Sequence, residues 1–118
     1  MVNEQNLNAI LDTAIEAGLQ AHESARPTPM TVTGANQHYF VPEGACGFAW
    51  VKVHGIKGNT KLGKMLKARG FTKSYTGGLQ YWISTMTQSV ARKEAYAEAM
   101  ASVLRSNGLE AYADSRLD

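Results

Sequence analysis

The sequence predicts an α+β sandwich. Three segments repeat apolar residues at the three- and four-residue spacing of helices, and short runs bounded by glycines, one of them strictly alternating, lie between them. A single Cys in 118 residues permits no internal disulfide and no thiol-rich zinc site, so the fold must rest on a packed core.

The elements follow in order. Residues 3–22 read as an amphipathic helix with Leu7, Ile10, Leu11, Ala14, Ile15 and Gly18 on one stripe and Asn3 as its cap. Pro27 and Pro29 then impose a linker over residues 25–29. Residues 30–33 and 38–41 fit a hairpin closed by a four-residue loop, and residues 42–47 are a turn-rich break. Residues 48–54 make the clearest strand, with Ala49, Val51 and Val53 on one face and Phe48, Trp50, Lys52 and His54 on the other. After a glycine loop over 55–58, a helix is expected from about 60 to 69, ending at Gly70. A second hairpin pairs 71–75 with 79–84 around Thr76-Gly77-Gly78. A last helix runs from about 88 to 107, stopped by Gly108, and residues 109–113 close the sheet.

From residue 48 the order is therefore β-α-β-β-α-β, the ferredoxin-like arrangement in which two helices cover one face of a four-stranded sheet. The expectation is one α+β domain over 1–118. An N-terminal helix and Pro-containing linker (1–29) precede a short hairpin and the sheet with its two helices (30–118). In that arrangement the first and third strands are central, and Leu79, Tyr81 and Ile83 are the buried set of the third. Trp82 then lies beside Trp50 on the opposite face, with Phe71, Lys73 and Tyr75 alternating on the neighbouring strand. Aromatics interleaved with lysines form a platform for stacking bases if that face is open. The alternative, favoured by the size of the aromatics and the 47 residues still to be placed, is that the N-terminal helix or hairpin covers it.

Charge is uneven. The net charge is only +2, yet residues 44–93 contain no Asp or Glu and nine basic residues. These are Lys52, Lys57, Lys61, Lys64, Lys67, Arg69, Lys73, Arg92 and Lys93. Such a surface concentrates anionic partners. Against this, charge blocks are often only solvated faces, or pair with acidic flanks after folding.

Other chemistry is thinly supported. The segment from Gly55 to Lys61 enters a helix and offers glycines, backbone N–H groups and lysines to an anion, but lacks the Gly-Lys-Ser/Thr of a phosphate loop. Cys46, between small residues and with His38 and His54 in adjoining strands, is a candidate nucleophile that Glu43 could help orient, and equally a packing residue. The central region has no paired carboxylates for two-metal chemistry, and no cofactor or metal is expected. No apolar run reaches the ~18 residues of a membrane span, and the polar start is no signal peptide, which predicts a soluble protein.

Several stretches together carry a resemblance: Gly44-Ala45-Cys46-Gly47-Phe48-Ala49-Trp50-Val51, Lys61-Leu62-Gly63-Lys64, Tyr75-Thr76-Gly77-Gly78, Arg92-Lys93-Glu94-Ala95-Tyr96-Ala97 and the terminal run from Glu110 to Asp118. With these the chain resembles, over most of its length after residue 30, a family of small proteins encoded by tailed bacteriophages. The resemblance implies a phage origin and action in the cytoplasm of the infected bacterial host. It implies no activity and no site residues.

The expected function is that of a phage accessory protein binding an anionic partner, nucleic acid first, through Lys52, Lys57, Lys61, Lys64, Lys67, Arg69 and Lys73, with Trp50 and Trp82 stacking. The rivals are a protein–protein inhibitor docking the same basic face on a host factor, and a small enzyme or nucleotide-binding protein centred on Cys46.

Overall fold

A computed structural model describes residues 2–27, 30–34, 37–41, 43–85 and 87–118. The expected linker residues 28–29, hairpin-loop residues 35–36 and residue 42 of the break lie outside them. The described chain runs α1 (Leu7–Ser24), β1 (Met30–Gly34), β2 (Gln37–Val41), β3 (Gly47–His54), α2 (Lys61–Ala68), β4 (Thr72–Lys73), β5 (Leu79–Trp82), α3 (Val90–Ser106) and β6 (Glu110–Leu117). The fold is α+β, with a four-stranded antiparallel sheet in the order β4-β5-β3-β6. Strands β3 and β5 are therefore central. β1 and β2 form a separate two-stranded antiparallel sheet.

One core joins all three helices to one face of the sheet. Along β3 burial alternates strictly, with Gly47, Ala49, Val51 and Val53 inward. Leu7, Leu11 and Ala14 of α1, Leu66 of α2, and Tyr96, Met100 and Leu104 of α3 are buried in the same cluster as Ala49, Val51 and Val53. The helix α1 thus lies on the same side of the sheet as α2 and α3. It does not cover the aromatic face, so the helix is not the cover expected from the size of those rings; the side chains of the hairpin, the other expected cover, lie outside the described residues. The apolar stripe of α1 is satisfied by α3 instead, at a contact so close that a Cβ on Gly18 would sit 2.5 Å from the Tyr96 ring.

Helix ends follow their local chemistry. The Thr60 side chain accepts from Gly63 N at 3.1 Å and donates to Lys57 O at 2.7 Å, tying the first turn of α2 to the preceding loop. Ser89 caps α3 by accepting from Arg92 N and donates to Glu43 O. Helices α2 and α3 end in paired 6→1 and 5→2 backbone bonds, Phe71 N to Leu66 O with Gly70 N to Lys67 O, and Leu109 N to Leu104 O with Gly108 N to Arg105 O. The glycines at both ends have positive φ, +104° and +91°. At the start of α1 the helix begins at Leu7 rather than residue 3. Asn3 accepts from Gln5 N and Asn6 N one turn earlier.

Two strands differ from expectation. β4 is only two residues long, because Ser74 N bonds Gly78 O and Gly77 N bonds Ser74 O, closing the turn early. Phe71 precedes it and is buried against Tyr81, with ring centroids 5.2 Å apart. Placing Phe71 and Lys73 on the aromatic face is therefore wrong: the backbone bond to Leu66 O at the end of α2 holds Phe71 in the core, and Lys73, registered with Leu79 and through it with Val53, stands on the helix side of the sheet. β6 is longer than expected and pairs with all of β3, from Gly47↔Leu117 to His54↔Glu110.

Candidate functional site

Strand pleating assembles, from three strands, the face that no described helix covers. Trp50 is registered with Trp82 on one side and Asp114 on the other, Lys52 with Gln80 and Tyr112, and Phe48 with Arg116. The two indoles stack with centroids 4.8 Å apart and planes 30° from parallel. Phe48 meets Trp82 edge-on at 5.9 Å. The Arg116 guanidinium lies over both Phe48 (5.3 Å) and Trp82 (5.8 Å). Trp82 retains 39% of its surface exposed. The face is therefore an aromatic strip with a cation against it. It has a polarity: Lys52 and Gln80 extend it towards β4, whereas Glu110 and Asp114 place acids on the β6 side.

The nine basic residues of the acid-free stretch have different fates. Arg69 donates to Asp12 at 2.6 Å and to Asn8 at 3.0 Å, joining α2 to α1. Arg92 forms a two-pronged pair with Glu43 and donates to His22 O. That bond, with the positive charge behind it, holds the Glu43 carboxyl below its ordinary value. Lys93 is buried, donating to Gly47 O at 3.3 Å beside the Phe48 ring. Lys61 meets Glu4 at 3.9 Å, both exposed. Lys52 donates to the Thr76 hydroxyl. Lys57, Lys64, Lys67 and Lys73 make no ion pair or side-chain hydrogen bond among the described residues.

Three of these four converge. Lys57, Lys67 and Lys73 line a cleft of about 660 Å³ with Gly55, Gly58 and Gly78, and no carboxylate shares its wall. It sits where the C-terminal end of β3 meets the start of β5, between the 55–59 loop, α2 and β4. Glycines make the room. A Cβ on Gly58 would lie 2.7 Å from Lys67 Nζ, so the ammonium rests on bare backbone. Gly78, at φ +74°, approaches Val53 O closely enough that a Cβ would stand 2.6 Å from it. Gly63 presses the first turn of α2 against the carbonyl of Lys57. The loop is thus fixed from both ends.

Of the residues expected from sequence, Trp50 and Trp82 meet on one face with Lys52 beside them, and Lys57, Lys67 and Lys73 meet in the cleft. Lys61 lies across the loop with Glu4, Lys64 is exposed on α2, and Arg69 is committed to α1. Arg116 and Tyr112 were not anticipated, although the alternation Tyr112, Asp114, Arg116 signals a strand that runs past residue 113. The Cys46–His54 pairing fails on distance: Cys46 precedes β3 and His54 ends it, so roughly 26 Å of extended chain separates them. The His38 side chain lies outside the described residues. No three His, Cys, Asp or Glu residues among those described gather as metal ligands, and none of the described helices is long and apolar enough to cross a membrane.

No family model matches the chain, and no curated protein or solved structure shows significant similarity to it.

Proposed function

We propose that the protein binds single-stranded nucleic acid across the aromatic sheet face, its bases stacking at Trp82 and Trp50 and its phosphates following Lys52 towards the lysine cleft. The observation that carries this reading is the stacked indole pair on a face that no described helix covers, with Lys52 beside it and Gly78 of the lysine cleft packed against Lys52. Stacking requires unpaired bases, since every base offers a π-face only once it leaves the duplex. From Trp50 to His54 the strand covers about 13 Å, and the cleft lies past its end on the helix side, so a short oligonucleotide joins the two by turning around that end of the sheet. Asp114 and Glu110 repel phosphates on the β6 side and so direct the backbone along β5 and β4. The strand order supports a ferredoxin-like unit over residues 47–117. The accessory role in the cytoplasm of a phage-infected bacterium, expected from the sequence, is part of this proposal.

Both tryptophans of the chain lie on this face, so intrinsic fluorescence reports on it directly. Titrating short single-stranded DNA and RNA at low salt is expected to quench that fluorescence saturably. Trp82→Ala is expected to weaken binding by ~1–3 kcal/mol while leaving the fold intact. Absence of any affinity for single strands at low salt would overturn the reading and put the host-protein inhibitor first.

A further inference from the structure

We infer that the cleft lined by Lys57, Lys67 and Lys73 is a subsite for a phosphomonoester, the terminal phosphate of a nucleic-acid strand. The inference rests on the nucleic-acid reading above and assigns the end of the strand rather than its bases. Three ammonium groups from three separate elements, the 55–59 loop, α2 and β4, face one space with no carboxylate in its wall. None of the three is neutralised by an ion pair among the described residues. Converging like charges repel, and an anion resolves that repulsion.

The charge matches a terminal phosphate better than an internal one. A phosphodiester carries a single negative charge, whereas a phosphomonoester carries ~1.5–2 at pH 7 and exposes three acceptor oxygens. Three lysines around one such group supply a donor for each oxygen. The volume, about 660 Å³, accommodates a phosphate together with the nucleotide that bears it. Gly58 and Gly78 keep side chains out of the floor, and Lys67 lies directly across Gly58. The cleft opens on the helix side of the sheet, because Lys73 shares the face of Leu79, and a strand stacked on Trp82 and Trp50 would pass Lys52 and Gly78 at the end of the sheet to place its terminus there.

The same monoester chemistry exists on a free nucleoside monophosphate, and the experiment separates the two sources. The full-length protein is titrated with the same short oligonucleotide bearing a 5′-phosphate, a 3′-phosphate or hydroxyls at both ends, and with a nucleoside monophosphate alone. One phosphorylated strand is expected to bind at least tenfold more tightly than the hydroxyl strand. Lys57→Ala, Lys67→Ala and Lys73→Ala are each expected to erase most of that ratio, whereas Trp82→Ala weakens all strands by the same factor and leaves the ratio unchanged. Gly58→Ala keeps every charge yet displaces the Lys67 ammonium, and is expected to reduce the ratio as well; an unaltered ratio there would mean that net charge alone acts, against a built subsite. Equal binding of all three strands, still lost in Trp82→Ala, overturns the subsite and leaves the nucleic-acid reading standing. Binding of the nucleoside monophosphate without any strand keeps the monoester site, makes its ligand the free nucleotide and overturns the nucleic-acid reading. Binding of neither overturns both.

Discussion

At the scale of single residues, the tightest constraints are glycines that no helix-propensity argument would place. Gly→Ala inside a helix ordinarily gains ~1 kcal/mol. Gly18 reverses that sign, since its Cβ would stand 2.5 and 2.6 Å from two carbons of the buried Tyr96 ring. Gly18→Ala is expected to lower stability by ~1–3 kcal/mol, the usual cost of overpacking, read as a reduced urea midpoint at unchanged slope. Tyr96 itself gives a pH signature. Burial first, and then the neighbouring Tyr81, push its hydroxyl up from 10.0 to about 12. The unfolded chain releases that proton near pH 10 and the folded chain only near pH 12. Its contribution is therefore complete below pH 10 and is lost as pH rises through that window. Denaturation midpoints at pH 9 and pH 11.5 should fall more steeply in the wild type than in Tyr96→Phe; parallel loss in both would refute the assignment.

At the scale of elements, the central strand was legible from sequence because alternation is a direct readout of one-sided burial. Ala49, Val51 and Val53 are all fully buried, so Val51→Asp is expected to abolish cooperative unfolding by placing an unpaired charge in the core, as circular dichroism melts would show. Helix ends were legible where a glycine must take positive φ, at Gly70 and Gly108. What sequence hid was tertiary in origin. Phe71 reads as part of an alternating strand, but the bond from its N–H to Leu66 O fixes its direction before the strand begins. Strand β6 runs on to Leu117 because β3 offers partners along its whole length; the alternation Tyr112, Asp114, Arg116 signals the extension, and the pairing with Gly47 sets its end. In the candidate site the tryptophans were legible through register, whereas the cleft was not, because it needs α2, β4 and the 55–59 loop to be packed together. Which bases in the acid-free stretch are structural depended on the acids brought to them from outside it, Asp12 to Arg69 and Glu43 to Arg92.

At the scale of the whole molecule, a net charge of +2 conceals a separation of sign, with Glu110 and Asp114 on the β6 edge of the sheet and unpaired lysines gathered towards the β4 edge. Net charge alone would predict weak, indifferent attraction for polyanions. Separation predicts binding that depends on which cation is removed. If Lys57, Lys67 and Lys73 neutralise the roughly two charges of one terminal phosphate and Lys52 and Lys64 each meet one further phosphate, counterion release gives a log–log salt slope of about −3, at ~0.7 per charge neutralised. The double variant Lys57→Ala, Lys67→Ala leaves one lysine for those two charges and is then expected to flatten that slope by about 0.7. Arg69→Ala removes the same kind of charge from the same acid-free stretch, but its guanidinium is already held by Asp12. It should lower the melting temperature slightly, by up to ~1 kcal/mol of stability for a partly exposed pair, and leave the slope unchanged. Anisotropy titrations at four salt concentrations, run beside thermal melts, distinguish the two. A slope that falls equally in Arg69→Ala and in the lysine variants would mean that any positive charge serves. The arrangement of cations around the cleft would then play no part in binding.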